Sequence, residues 1–291
     1  MARHMTRKNH RPIQFSTLTR IIVAVVSCGF AFLFFANETT TDKSISFTPI
    51  IPTIYVHGYG GVYNSTEHMI QAAEQAGAAK KALIARVEPD GKVNYQGTWN
   101  FTQKHPIIQV IFKNNTAEIP TEARWLNTIV NHLQSAYAIS EFNLVSHSMG
   151  GPVTLYWALH ERSASSPTLK KFVPIAGPFN GVIYIDDTPN TNNLTSSGNP
   201  KLQNSAYRSY YRARMHFPTE TKILNIYGNL EDGSNSDSLV TNVSARSLAY
   251  LLQKHVTSYK ELMIKGPNAR HSQLHNNAEV NRAVIRFLWN R

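Results

Sequence analysis

The sequence predicts an α/β fold, a mostly parallel sheet covered by helices on both faces. Three observations predict it. Short apolar runs that end in glycine or turn residues recur along the chain. Between them lie longer segments whose apolar residues repeat every three to four positions. The two kinds alternate, and parallel strands need helical crossovers that bury both sheet faces. With 291 residues, 42% hydrophobic and 16% charged, the chain can bury a full core and is not of disordered composition.

The elements follow in order. "IPTIYVHG" (51–58) reads as a buried strand closed by glycine. "STEHMIQAAEQAGAAK" (65–80) reads as a helix, with Ser65 or Asn64 as its cap. "KALIARVEPDGKVNYQG" (81–97) reads as two strands turning at Asp90-Gly91, and "PIIQVIF" (106–112) as a further strand. In "PTEARWLNTIVNHLQSAY" (120–137), Trp125, Ile129, Leu133 and Tyr137 fall four apart beside Leu126 and Val130, an amphipathic helix. "FNLVSHS" (142–148) is a strand and "MGGPVTLYWALHER" (149–162) its following helix. "KKFVPIAG" (170–177), "TKILNIYGN" (221–229) and "YKELMIKG" (259–266) are strands. Val280, Ala283, Val284, Phe287 and Leu288 form one face of a last helix. No internal repeat is present.

Residues 178–217 break this rhythm after the sixth strand. "DDTPNTNNLTSSGNP" has loop composition, and "YRSYYRARMHF" is aromatic and basic. Such a surface would suit nucleic acid or a glycan, but an insertion of this kind is expected to cap an active site.

The start of the chain is a different region. Residues 1–20 carry Arg3, Arg7, Lys8, Arg11 and Arg20 with no acid. Residues 21–36, "IIVAVVSCGFAFLFFA", are apolar, and 37–49 form a polar linker. Basic, apolar, polar is the layout of a signal-anchor or signal peptide, with positive charge kept inside. "VVSC" also loosely matches a lipid-attachment box ending at Cys28, although the apolar run continues past it. Each version places residues 50–291 outside the cytoplasmic membrane, tethered or secreted. Cys28 is the single cysteine, so no intrachain disulfide forms. The net charge of +11 fits an anionic membrane setting. No nucleic-acid motif accompanies it, so nucleic acid is not an expected partner.

The stretch with chemical content is "LVSHSMGG" (144–151). A sharp strand-to-helix turn can hold a side chain exposed at the carboxyl edge of a sheet, and its neighbours must be small, as in Gly-x-Ser-x-Gly. Ser148 takes the nucleophile position and Gly150 the second glycine, while Ser146 replaces the first. The bland alternative is that Ser148 only caps the helix. A hydroxyl needs a base, and the base needs orienting. Candidate acids follow "ILNIYGN" as Glu231, Asp232 and Asp237, and candidate bases follow "ELMIKG" as His271 and His275. The other histidines show no His-Glu-x-x-His or similar metal spacing, and no metal or other cofactor is expected.

Taken together, "YVHGYGG", "LVSHSMGG", "NIYGNLEDGSNSDSLV" and "HSQLHNN" resemble the α/β-hydrolase superfamily. The chain is similar in particular to a family of Gram-positive cell-surface hydrolases of unknown function, over roughly residues 50–291. The resemblance implies the order nucleophile, acid, histidine. It selects Asp237, in "SDSLV", over Asp232, which reads as a turn residue before Gly233; Ser238 stands where the family pattern commonly has glycine. It favours His271 over His275 as the base. It implies an oxyanion hole from the backbone N–H groups of Tyr59 and Met149. The implied activity is that of a serine hydrolase, an esterase or lipase acting on a small-molecule acyl ester. An acyltransferase using the same acyl-enzyme, or a non-catalytic surface binding protein on this scaffold, are the rival readings.

Overall fold

The computed structural model describes residues 49–291. The expected basic segment, apolar run with Cys28 and nearly all of the polar linker lie outside the described residues. Among the described residues, no helix is long and apolar enough to cross a membrane.

Eight strands form one sheet: β1 (Thr53–Val56), β2 (Lys80–Val87), β3 (Val93–Gly97), β4 (Pro106–Phe112), β5 (Glu141–His147), β6 (Thr168–Ile175), β7 (Lys222–Asn229) and β8 (Ser258–Lys265). Their order is β3-β2-β4-β1-β5-β6-β7-β8. Only the β2–β3 pair is antiparallel. It turns where Asp90-Gly91 marks a hairpin: Gly91 sits at φ 88°, and Lys92 N–H donates to Asp90 Oδ1 at 3.0 Å.

Alternate residues of each central strand feed opposite faces, as the two-residue period requires. Ile54, Val56, Ile108, Leu144 and Phe172 join one core with helices α2 (Ile119–Tyr137), α3 (Gly150–Tyr156) and α5 (Asn242–Leu252). Tyr55, Ile107, Val145 and Val173 join the other with α1 (Asn64–Gln75) and α6 (Ala278–Trp289). The sheet is thus covered on both faces. The remaining helix, α4 (Ser205–Ala213), belongs to the insertion between β6 and β7.

Two local expectations change. The first helix stops at Gln75 rather than Lys80, because Gly77 takes φ 60° and closes a Schellman turn. Its paired bonds run from Ala78 N–H to Ala73 O and from Gly77 N–H to Glu74 O. Neither Ser65 nor Asn64 caps that helix. Its N-cap position is Tyr63, and the Ser65 hydroxyl accepts from the Val62 N–H instead.

All parallel strands end at one edge. The loops after β1, β5, β7 and β8 therefore converge there, although their residues lie up to two hundred positions apart in sequence.

Candidate active site

Ser148 follows β5 directly and takes φ 54°, the left-handed region that costs an L-residue about 1–2 kcal/mol. The surroundings enforce the turn. Ser148 N–H donates to Ile175 O on neighbouring β6 at 2.9 Å. A Cβ on Gly150 would lie 2.7 Å from His57 O and 3.0 Å from Val56 O. A Cβ on Gly58 would lie 2.6 Å from the Ser148 Cβ itself. Both glycines are dictated by space. The helix N-cap position belongs to Met149, and no side chain caps it, so Ser148 is not a capping serine.

The Ser148 hydroxyl lies 2.8 Å from His271 Nε2, and His271 Nδ1 lies 2.9 Å from Asp237 Oδ2. Asp237 is buried, and its Oδ1 accepts from the N–H groups of Leu239 (3.0 Å) and Val240 (2.7 Å). With those donors on Oδ1, the carboxylate can take the imidazole Nδ1–H on Oδ2. That assignment leaves Nε2 bare and able to accept the serine proton. The main chain reinforces the pair, since His271 N–H donates to Asp237 O at 2.8 Å.

The sequence alternates fall elsewhere. Asp232 is exposed and caps a turn through Ser234 N–H at 3.0 Å; the Ser234 side chain first, and then that backbone N–H, hold its pKa below the ordinary value. His275 bonds Asn276 Oδ1 through Nδ1 at 3.0 Å and makes no hydrogen bond to Ser148 among the described residues. Its ring lies 4.9 Å from that of His147.

Two histidines that sequence reasoning left among the scattered ones build the site. His57 is buried under the loop after β1. Its Nδ1–H donates to Gly58 O at 2.8 Å, and its Nε2 accepts from Phe112 N–H at 3.1 Å. Both nitrogens are committed in the neutral form. Burial also lowers its pKa, so the ring braces the loop and has no lone pair to spare as a base. Gly61 packs on that ring, where a Cβ would meet Nδ1 at 2.5 Å. His147, beside Ser148, donates Nε2–H to the His271 carbonyl at 3.0 Å. Burial above all, then the neighbouring His271 and His275, holds its pKa well below 6.5. The adjacency of His147 to Ser148 was the available signal. For His57 the only hint was its place before "GYGG".

The loop after β1 is also held from outside. Gly60 N–H donates to Asn115 O at 2.7 Å, and Asn115 Nδ2 donates to Gly61 O at 2.9 Å. Among the described residues, the N–H groups of Tyr59 and Met149 donate to no protein acceptor. They flank Ser148 in one cavity of about 660 Å³. Residues of the 178–217 insertion, including Phe179, Ile183 and Tyr210, line much of it together with Met149 and Pro152. No group of three or more histidine, cysteine or acidic side chains with metal-binding geometry occurs among the described residues.

A parallel sheet carrying a strained serine at the end of its central strand defines the α/β-hydrolase class. The chain belongs to the family described as "alpha/beta hydrolase of unknown function", DUF915, whose match covers residues 40–291. The lin2722 gene product of Listeria innocua is a similar solved structure, with TM-score 0.73 and 25% identity over 82% of this chain and 93% of that one. A Lactobacillus plantarum protein designated a cell surface hydrolase superposes with TM-score 0.66 and 23% identity, over 82% of this chain and 90% of its own. No curated protein matches the chain.

Proposed function

We propose that the chain is a serine hydrolase of carboxylic esters. The observation that carries this reading is the continuous contact from Ser148 Oγ through the His271 ring to buried Asp237, built on a strained serine turn. In the proposed reaction, Ser148 Oγ attacks the ester carbonyl carbon while His271 Nε2 takes the hydroxyl proton. Asp237 holds the ring orientation and stabilises the imidazolium. The negative charge that develops on the carbonyl oxygen is received by the Tyr59 and Met149 N–H groups. His271 then protonates the leaving alcohol. Water then attacks the acyl carbon and gives a proton to His271, which passes it to Ser148 Oγ as the Oγ–acyl bond breaks and the acid leaves.

Residues 178–217 act in this reading as a cap that shapes the acyl pocket, whose apolar wall suits an uncharged acyl group. The domain works outside the cytoplasmic membrane, tethered by residues 21–36. The basic-then-apolar start of the sequence supports that placement, as does the designation of the Lactobacillus plantarum structure.

The test is hydrolysis of p-nitrophenyl acetate and butyrate by the full chain, with fluorophosphonate labelling alongside. Ser148→Ala is expected to abolish labelling and to lower turnover by at least about 10⁴-fold, and Asp237→Asn to lower turnover by about 10³–10⁴-fold. Folded protein that neither turns over esters nor labels at Ser148 would overturn the reading in favour of a binding protein.

A further inference from the structure

The edge of the sheet opposite Ser148, where the parallel strands start, has no part in the proposed reaction, and its chemistry is different. Exposed cations sit at or beside the starts of the strands: Lys80 at the start of β2, Lys104 before β4, Lys222 on β7 and Lys260 on β8. Arg286 and Arg291 add to them from the end of α6. Acids on this edge are mostly engaged. Glu74 accepts from Lys81 N–H, Glu141 bridges Lys170, and Glu261 bridges Arg246. Glu161 and Glu220 share the edge as well. From β2 to β8 the cations span six strand intervals, roughly 29 Å at ~4.8 Å each, which is a plane rather than a point site. The Ser148 edge is mixed in sign, with Asp90, Asp186, Glu231, Asp232 and Glu279 beside Lys265 and Arg270.

Within the basic edge lies a cleft of about 550 Å³ bounded by Glu74, Lys80, Lys104, His105, Trp289 and Arg291. Trp289 is 9% exposed, and its Nε1–H has no acceptor among the described residues; neither has His105 Nδ1 a partner. The preceding chain joins the domain at this same edge, where Ile51 N–H donates to Lys104 O at 3.3 Å. That chain holds the apolar run 21–36 and five cations before it.

We infer that this strand-start edge is a docking face for anionic phospholipid. Headgroup phosphate enters the Trp289 cleft, and the surrounding lysines and arginines lie on the membrane plane. Ser148 then opens away from the membrane. A free phosphate has the same chemistry as the headgroup. The breadth of the cationic plane and the apolar segment that joins it favour the lipid source.

The test uses the full chain with Cys28→Ser and Gln75→Cys, the latter carrying an environment-sensitive fluorophore at this edge; a second reporter at Thr188→Cys marks the Ser148 edge. Each is added to vesicles of phosphatidylcholine alone or with phosphatidylglycerol. A blue shift at position 75 only, only with phosphatidylglycerol and reversed by salt, is expected. Lys80→Gln, Lys104→Gln and Arg291→Gln should each weaken docking about fivefold, about a hundredfold together, with unchanged melting temperature; Lys80→Arg and Lys104→Arg should retain it. An equal shift with phosphatidylcholine alone, a larger shift at position 188, or a triple variant that docks like the wild type would overturn the inference. A shift produced by inorganic phosphate without vesicles would overturn the lipid source and leave a soluble-anion site.

Discussion

The serine turn and the acid loop each put a serine where hydrolases of this kind commonly have glycine, but for different reasons. At Ser146 the constraint is space. The residue is fully buried in extended strand, packed against the place where a Cβ on Gly150 would fall, 3.3 Å away. At Ser238 the constraint is backbone conformation. The residue sits at φ 89° in a half-exposed loop. A small side chain satisfies the first demand. The second is met only by strain, because φ near +90° lies outside even the left-handed basin of L-residues. A missing glycine therefore means little until one knows whether volume or dihedral was the reason for it.

The sharpest test of the spatial side is to add one methyl group. Gly58→Ala forces its Cβ to 2.6 Å from the Ser148 Cβ, and Gly150→Ala to 2.7 Å from a backbone oxygen. Both neighbours are fixed, so the backbone must move. We expect a destabilisation of about 1–3 kcal/mol and a loss of ester turnover of about 10²-fold or more, because displacements of about 1 Å cost that much. Denaturant unfolding and kcat/KM measure the two effects. Wild-type turnover in Gly58→Ala would mean that the loop is not held as tightly as its contacts imply.

His147 ties the two regions together, from the serine turn to the carbonyl of His271 in the loop that closes on Asp237. Its folded pKa lies below the unfolded 6.5, so the folded state binds fewer protons than the unfolded one as pH falls. The stability it contributes is complete above pH 6.5 and is lost as pH drops below that value toward the folded pKa. His147→Gln keeps an N–H donor without a titrating ring. The unfolding free energy of this variant should fall less steeply than that of the wild type between pH 6.5 and 5, by a difference of about 1 kcal/mol or more. Parallel pH profiles would show that His147 is not the titrating link.

Much of the site is legible in sequence because a parallel sheet sends every strand end to one edge. Ser148, Asp237 and His271 each follow an apolar run directly or within one loop, so finding the runs finds the candidates. What escapes is anything defined by a distant neighbour. His57 is recognisable as a brace only when Phe112 is seen to meet it, and His147 only when the carbonyl 124 positions away does. Helix α5 escapes as well. It follows the acid loop without a glycine break, and its cap, Thr241, is disclosed only by the bond from Ser244 N–H. The insertion hides helix α4 behind a loop-like composition, although Asn204 caps it through Tyr207 N–H.

Smaller effects separate the two serines themselves. The Ser146 hydroxyl is buried without a partner among the described residues. Ser146→Ala removes that unsatisfied group and keeps the volume nearly unchanged, so a gain of about 1 kcal/mol is expected in denaturant unfolding. Ser146→Gly would give up strand rigidity, costing about 0.5–1 kcal/mol, and should gain nothing. At Ser238 the order reverses. Ser238→Gly relieves the positive φ but loses the unfolded-state restriction that a side chain provides, so the two terms partly cancel and leave a gain of about 0.5–1 kcal/mol. Ser238→Ala keeps the strain and should show no gain. The Ser238 N–H still donates to Ser236 Oγ in every variant, which keeps the loop's bonding constant across the series. If alanine stabilises position 238 and glycine position 146, space and dihedral have been assigned to the wrong serines.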